Sequence, residues 1–351
     1  MIHLFIWNIF KDMNYIGQKD YSHNTKPRVA VLLTNLGTPA SPTTNDLRVY
    51  LKEFLSDPRV VEVPRLLWFL ILNLIILRIR PKKSAKLYKS IWTEMGSPLM
   101  SNTIKQKDML EEKFKLLDKS IIIDFAMRYG KPTIKEKLHT LQNTGADKVL
   151  ILPLYPQYSG ATSGSTFDAV SKVFSKTRWV PNIRFISSYH DHKDYIDACV
   201  QQINSFWTNN SKPEKLVLSY HGVPKKYLTK GDPYYCHCQK TSRLISEHLD
   251  FNKENIITTF QSRFGNEEWL KPYTDETLKQ LGNDGVSSIN VFCPGFSSDC
   301  LETLEEIAVE NKNYFIESGG ASYNYIPALN SESAHIESLY SLILKNITDW
   351  I

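Results

Sequence analysis

Apolar, β-branched runs recur along the chain at RVAVLLTNLG (28–37), IIIDFAMRYG (121–130), KVLILPLYP (148–156), IRFISSY (183–189), KLVLSYHG (215–222), NIITTFQSR (255–263) and SINVFCPGF (288–296). Their cores are continuous rather than alternating, the pattern of parallel strands covered on both faces. Each run gives way to a loop rich in Gly, Pro or Ser. Stretches of helical period lie between them, at 102–117, 133–144, 194–209, 240–249, 275–281 and 299–311. Strand, loop and helix in this order predict an α/β fold with parallel sheets. Four runs fall before about residue 185 and the rest after it, which suits two similar doubly wound lobes with a cleft between them. Residues 27–182 make the first lobe and 183–330 the second. A last helical stretch, 333–351, is expected to fold back on the first lobe, and residues 1–25 to form a poorly ordered extension. Ligands of such sheets sit outside the carboxyl ends of the strands.

Two apolar stretches stand apart from this pattern. Ile2–Phe10 lacks a basic region before it and a small-residue cleavage site, so it reads poorly as a signal peptide, and Met13 is an alternative start to Met1. Leu66–Leu77 (LLWFLILNLIIL) is too short to span a bilayer as a helix. Arg65 precedes it, and Arg78, Arg80, Lys82 and Lys83 follow. It suits either a buried core helix or an apolar helix lying among lipid headgroups.

The composition narrows the function. Of 351 residues 42% are hydrophobic and 23% charged, an ordinary globular balance that excludes wholesale disorder. A net charge of +5 is too thin for a nucleic-acid footprint. Five cysteines, an odd number in a long chain, argue against a disulfide scaffold and for a reducing compartment such as the cytoplasm. NLGTP after the first run has one glycine, so no dinucleotide fingerprint is present. SGATSGST lacks the lysine of a phosphate loop, and no G-x-S-x-G elbow occurs.

Four places carry candidate chemistry. His221 ends a buried run, where an imidazole can bind a divalent metal or take a proton near neutral pH, or simply bond a neighbouring carbonyl. Asp299, Glu302, Glu306 and Glu310 follow the last run at spacings of 3, 4 and 4, which aligns them on one face of a helix. Asp299-x-x-Glu302 also reads as a capping box. That box leaves Glu306 and Glu310 unexplained, whereas a path for a cation or protons accounts for the whole file. The loop YPQYSGATSGST (155–166) suits a planar aromatic ligand with polar groups at its rim, or a plain strand-to-helix turn. Cys236-His237-Cys238 suits a structural turn or a soft metal, with no second cysteine pair at metal-site spacing.

Read in order, NLGTP (35–39), MGSP (95–98), AMRYGKP (126–132), LYPQYSGATSGS (154–165), LSYHGVP (218–224) with GDPYYCHCQKT (231–241), QSRFGNEEWLKPYTDET (261–277) and CPGFSSDCLETLEEI (293–307) resemble the ferrochelatases, from about residue 27 to the chain end. The resemblance implies two similar Rossmann-like lobes of chelatase type without a nucleotide site. It implies insertion of Fe²⁺ into protoporphyrin IX with release of two protons, the last step of heme biosynthesis. Carried over by motif, His221 and Glu302 become the catalytic pair that contacts iron, and Asp299 and Glu306 continue the metal or proton path. Leu36, Tyr88, Tyr155, Trp269 and Phe296 fall where the family lines its macrocycle pocket. Arg80, Ser97 and Arg128 fall near the propionates or the pocket rim. The stretch 66–77 matches the lip through which porphyrin enters from the membrane surface, implying a cytoplasmic enzyme peripheral on the inner membrane face, monomeric or homodimeric.

No tightly bound cofactor is implied, iron being a substrate. No Cys follows Cys300, so the C-terminal [2Fe–2S] cluster of some members is not expected. Cys300 stands where some members carry His, and that histidine's role does not transfer. The alternatives are a chelatase for coproporphyrin or sirohydrochlorin, and a non-catalytic two-lobed tetrapyrrole-binding protein.

Overall fold

A computed structural model describes residues 15–18, 22–118, 120–265 and 267–351. The first sheet holds β1 (Arg28–Gly37), β2 (Ile122–Tyr129), β3 (Ala146–Pro153) and β4 (Asn182–Phe185) in the order β2-β1-β3-β4. The second holds β5 (Lys215–His221), β6 (Ile256–Gln261), β7 (Ser288–Phe292) and β8 (Ser322–Ile326) in the order β6-β5-β7-β8. Every pairing is parallel. The α/β architecture of two doubly wound lobes is therefore the one the apolar pattern predicts. β8 is the strand that pattern does not reveal. It is an edge strand, SYNYI, whose bulk is tyrosine and whose outer positions face solvent, so it offers no continuous apolar run.

Two helices begin earlier than their periodicity indicates. Pro98–Leu117 is capped by Ser97, whose Oγ accepts the Met100 N–H at 3.2 Å, with proline in the first turn. Tyr234–His248 starts behind Asp232-Pro233, and the Asp232 carboxylate accepts the Tyr234 N–H at 3.0 Å. Cys236, His237 and Cys238 thus form a helical first turn rather than the expected loop turn. Cys236 is exposed and Cys238 buried, so the pair does not face one ligand.

The lobes share one core. Val31 and Leu33 of β1 and Leu150 and Leu152 of β3 belong to the same buried cluster as Leu216, Leu218 and Tyr220 of β5 and Phe292 of β7. Ile336, Leu339 and Ile343 of the last helix, Ser333–Ile347, complete it. That helix packs on Pro98–Leu117 and on Lys193–Asn209. Beyond it, the Trp350 carbonyl accepts from Lys148 Nζ of β3 at 3.0 Å, and Asp349 pairs with Arg184 of β4 at 2.6 Å. At the other end, most of the segment 1–25 lies outside the described residues. Ile16 forms a parallel bridge with Thr177, donating to the Lys176 carbonyl at 2.7 Å.

The apolar stretch forms part of one helical run: Arg65–Ile71, a π-helical Leu72–Ile76, and Leu77–Ile91. Pro81 lacks the N–H that would bond the Leu77 carbonyl, and Arg48 Nε takes that carbonyl at 3.1 Å instead. The run is two-faced. Trp68, Leu72 and Leu77 are buried, whereas Leu66, Phe69 and Leu74 are 78%, 60% and 54% exposed. Neither sequence reading holds alone: one stripe enters the core and the other meets solvent. No helix among the described residues is long and apolar enough to cross a membrane.

Candidate active site

Each lobe turns the carboxyl ends of its two inner strands to a common cavity of about 600 Å³, within the size range of small-molecule sites. β1 contributes Asn35–Thr38, and the loop after β3 contributes Leu154, Tyr155 and Gln157. β5 contributes His221–Pro224, and the loop after β7 contributes Gly295–Ser298. Close backbone approach is needed at these ends. A Cβ on Gly37 (φ +108°) would lie 1.7 Å from the Tyr129 carbonyl, and one on Gly222 would lie 2.7 Å from the Gln261 carbonyl.

One part of the cavity is aromatic and apolar. Leu36, Tyr50, Phe54, Tyr88, Tyr155, Trp269 and Phe296 line it. Burial pushes the Tyr50, Tyr88 and Tyr155 phenols well above their usual range, so they remain neutral walls and donors rather than bases. Trp269 is anchored by its Nε1 donating to the Phe264 carbonyl at 3.0 Å. Arg80, Lys83 and Arg263 also line the cavity, with Arg80 lying 5.5 Å over the Phe264 ring. Ser97 lines it as well, its oxygen accepting in the cap while its O–H stays free to donate to a carboxylate.

The other part is ionic. His221 is the last residue of β5, in register with Gln261 of β6. Its Nδ1 lies 2.6 Å from the Gly222 carbonyl, which only accepts, so Nδ1 carries a hydrogen and Nε2 is the nitrogen left to meet a ligand. Glu302 opens a π-helix, Glu302–Asn311, whose i→i+5 bonding is rare and concentrates at functional sites. Gln261 Nε2 donates to the Glu302 carbonyl at 3.2 Å, tying the helix start to β6. Glu302, Glu305, Glu306 and Glu310 all line the cavity. Burial pushes Glu306 above the carboxylate range and the nearby Glu302 adds to this, while the Ser262 hydroxyl and His221 pull it down. Glu305 is raised by burial and by Glu310. Ser262 reaches Glu306 from a left-handed backbone (φ +66°), an outlier held at the end of β6. Such crowded carboxylates are relieved by a cation.

Two residues expected at the site lie elsewhere. Asp299 does not line the cavity. Its carboxylate accepts from Thr303 Oγ1 (2.9 Å), the Tyr325 hydroxyl (2.6 Å), the Ala328 N–H (3.4 Å) and Asn330 Nδ2 (2.7 Å), so it is a filled structural hub rather than a step of a metal path. The capping box is absent too, because the Asp299 N–H donates to Asn330 Oδ1 at 2.8 Å. Arg128 likewise faces away from the cavity. Its Nη2 pairs with Asp57 at 2.6 Å and its Nε donates to Ser165 Oγ at 2.7 Å. Burial works to raise Asp57, but Ser165, the Arg59 N–H, Tyr129 and Arg128 together hold it below its ordinary value. Through Nε and Nη2, Arg128 joins β2 to Ser165 and Asp57.

Glu305 and Tyr50 are lining residues outside the expected site set. Glu305 stands three residues after Glu302, a same-face helical spacing that marks it in the sequence. Tyr50 sits on an amphipathic helix, Thr44–Leu55, where an inward aromatic reads as core. Cys300 lines the cavity beside Glu302, and burial together with the Glu302 carboxylate pushes its thiol well up.

Comparison with known proteins adds three findings. Residues 28–347 match the ferrochelatase family model. A ferrochelatase from Idiomarina loihiensis is 56% identical over 339 residues, spanning 96% of this chain and 93% of its own, and one from Marinobacter nauticus is 57% identical over 339 residues, spanning 96% and 92%. Among solved structures, SirB from Bacillus subtilis with Fe³⁺ superposes with a TM-score of 0.53 at 11% identity, covering 91% of this chain and 95% of that one, a likeness of fold.

Proposed function

The chain belongs to the ferrochelatase family, and from this premise we infer how its cleft inserts Fe²⁺ into protoporphyrin IX to give protoheme and two protons. The observation that carries the reading is one cavity lined together by aromatic side chains and by His221 and the glutamates. A flat, apolar macrocycle stacks on Tyr88, Tyr155, Trp269 and Phe296. Its propionates pair with Arg80, Lys83 and the Ser97 hydroxyl at the rim. The two pyrrole N–H groups must leave as Fe²⁺ enters, so the site needs a base and a cation route. The Nε2 lone pair of His221 takes the first pyrrole proton. Glu302 meets the iron, and Glu305, Glu306 and Glu310 pass cations in and the second proton out. Bending the macrocycle against the aromatic wall exposes its nitrogen lone pairs, which is binding energy spent on the transition state.

The direct test mixes purified protein anaerobically with protoporphyrin IX and Fe²⁺ or Zn²⁺ and follows the optical spectrum. Conversion of the free-base bands to those of the metalloporphyrin is expected. Free-base spectra that persist beside an unchanged control overturn the reading.

The exposed face of the Arg65–Ile91 run supports peripheral attachment to the cytoplasmic face of a membrane. Leu66, Phe69, Leu70 and Leu74 are presented outward beside Arg78, Lys82, Lys83 and Lys86, which are exposed. Each cation near an anionic surface adds about 1 kcal/mol, and the apolar side chains enter the headgroup region. Replacing Leu66, Phe69 and Leu70 by Ser is expected to abolish flotation with anionic vesicles at moderate salt while leaving the melting temperature in place. Trp68→Ser is expected to do the reverse, because Trp68 is buried and donates Nε1 to the Leu55 carbonyl at 2.6 Å. Vesicle binding that survives the triple substitution refutes the attachment.

A further inference from the structure

The lobes are joined beside the cavity by a buried polar cluster that the reaction itself does not use. Gln106, on the helix Pro98–Leu117, is fully buried, a position where an amphipathic helix ordinarily carries an apolar side chain. Its Nε2 donates across the boundary to the Ser297 carbonyl (3.1 Å), Ser298 Oγ (3.0 Å) and the Asn330 carbonyl (2.8 Å). One turn earlier, Asn102 Nδ2 donates to Asn330 Oδ1 at 2.9 Å. Asn330 holds a left-handed backbone (φ +45°), which asparagine tolerates better than most residues, and from there it grips both the N–H and the carboxylate of Asp299. On the same helix face, Thr103 Oγ1 accepts from Asn35 Nδ2 at 3.0 Å, and Asn35 lines the cavity at the end of β1. One stripe of a first-lobe helix therefore fixes both a first-lobe strand end and the second-lobe segment 297–299. That segment runs directly into the π-helix that opens with Glu302.

We propose that Gln106, supported by Asn102 and Asn330, is a positioning latch that sets where Glu302 stands relative to the first-lobe wall, and hence the distance between incoming metal and the macrocycle. The proposal rests on Glu302 handling metal or protons. Hydrophobic packing could hold the lobes together without fixing their register. Directional bonds from one amide to three acceptors on the opposite lobe fix it. An error of about 1 Å in the placement of a reacting group costs on the order of 10²-fold in rate, so a latch on the segment leading into Glu302 is felt at the metal.

The test uses the full-length protein and zinc insertion into protoporphyrin. Gln106→Met keeps length and volume but removes both N–H donors. It is expected to lower kcat tenfold or more, with the porphyrin KM within about threefold of wild type, because the aromatic wall is untouched. Asn102→Ala, which removes a single half-buried bond, is expected to lower kcat less. The double variant Gln106→Met with Glu302→Gln is expected to be no slower than Glu302→Gln alone, since a latch acting through Glu302 has nothing left to position. A folded Gln106→Met with kcat within threefold of wild type, or losses that multiply in the double variant, overturns the latch. If Gln106→Met does not fold, an unchanged kcat in Asn102→Ala overturns it. Near-normal insertion by Glu302→Gln alone instead removes the role of Glu302, a separate failure.

Discussion

Glu302→Gln is expected to lose metal insertion by 10²-fold or more in a protein that melts and binds porphyrin as the wild type does. The substitution keeps shape and hydrogen-bonding reach and removes only the charge. A cap would tolerate it, since glutamine serves the third position of a capping box as well as glutamate. The structure removes that reading, because the Asp299 N–H that a box would use is bonded to Asn330 and the Glu302 side chain lines the cavity. The role proposed for the carboxylate is to handle the cation and the protons. A 10²-fold loss corresponds to about 2.7 kcal/mol of transition-state stabilisation, far beyond the usual effect of an exposed polar substitution on stability. Zinc-insertion rates, porphyrin fluorescence titration and melting curves on one preparation check it. Insertion within a few-fold of wild type refutes the role.

His221→Ala is expected to cost 10²–10⁴-fold in kcat, the span typical of removing a general base. The fold should survive. The side-chain bond that His221 makes is to the carbonyl of its own neighbour, Gly222, so truncation strands no distant partner. His221 is half-buried at the end of β5, where the strand's pairing with β6 is made by backbone groups. Retention of more than about a tenth of wild-type kcat, measured with saturating Zn²⁺ and porphyrin, overturns the assignment. Porphyrin affinity is expected to change little, because Tyr88 and Tyr155 of the first lobe and the rings of Trp269 and Phe296 all stay in place.

What the sequence reveals and what it conceals divide along physical lines. β1, β3, β5 and β7 are buried on both faces and write themselves as apolar runs. β8, an edge strand of tyrosines, does not. His221 is legible because a polar ring closing such a run must emerge at a carboxyl end. Glu302, Glu306 and Glu310 are legible as a spacing, and Glu305, three residues after Glu302, shares that face. Asp299 and Arg128 show the limit most clearly. A charged side chain in a motif reads the same whether it faces a ligand or a buried partner distant in sequence. Asp57, which pairs with Arg128, lies 71 residues away from it, and Asn330 lies 31 away from Asp299. Gln106 hides for the same reason, since its three acceptors are all in the other lobe.

The docking of Ser333–Ile347 and the residues after it bears on how the chain is made. Domains ordinarily fold as units while synthesis proceeds from the N-terminus. Here the first sheet is fully translated once β4 is out, yet Leu150 and Leu152 share their buried cluster with Ile336 and Ile343, which follow far later in the chain. Until then the nascent first half must carry an uncovered apolar face, together with a Lys148 and an Arg184 whose partners, Trp350 and Asp349, do not yet exist. Contacts of such sequence separation slow folding and leave sticky surface exposed in the meantime. Because both sheets share one buried cluster, the protein is expected to resist separation into independently folding halves.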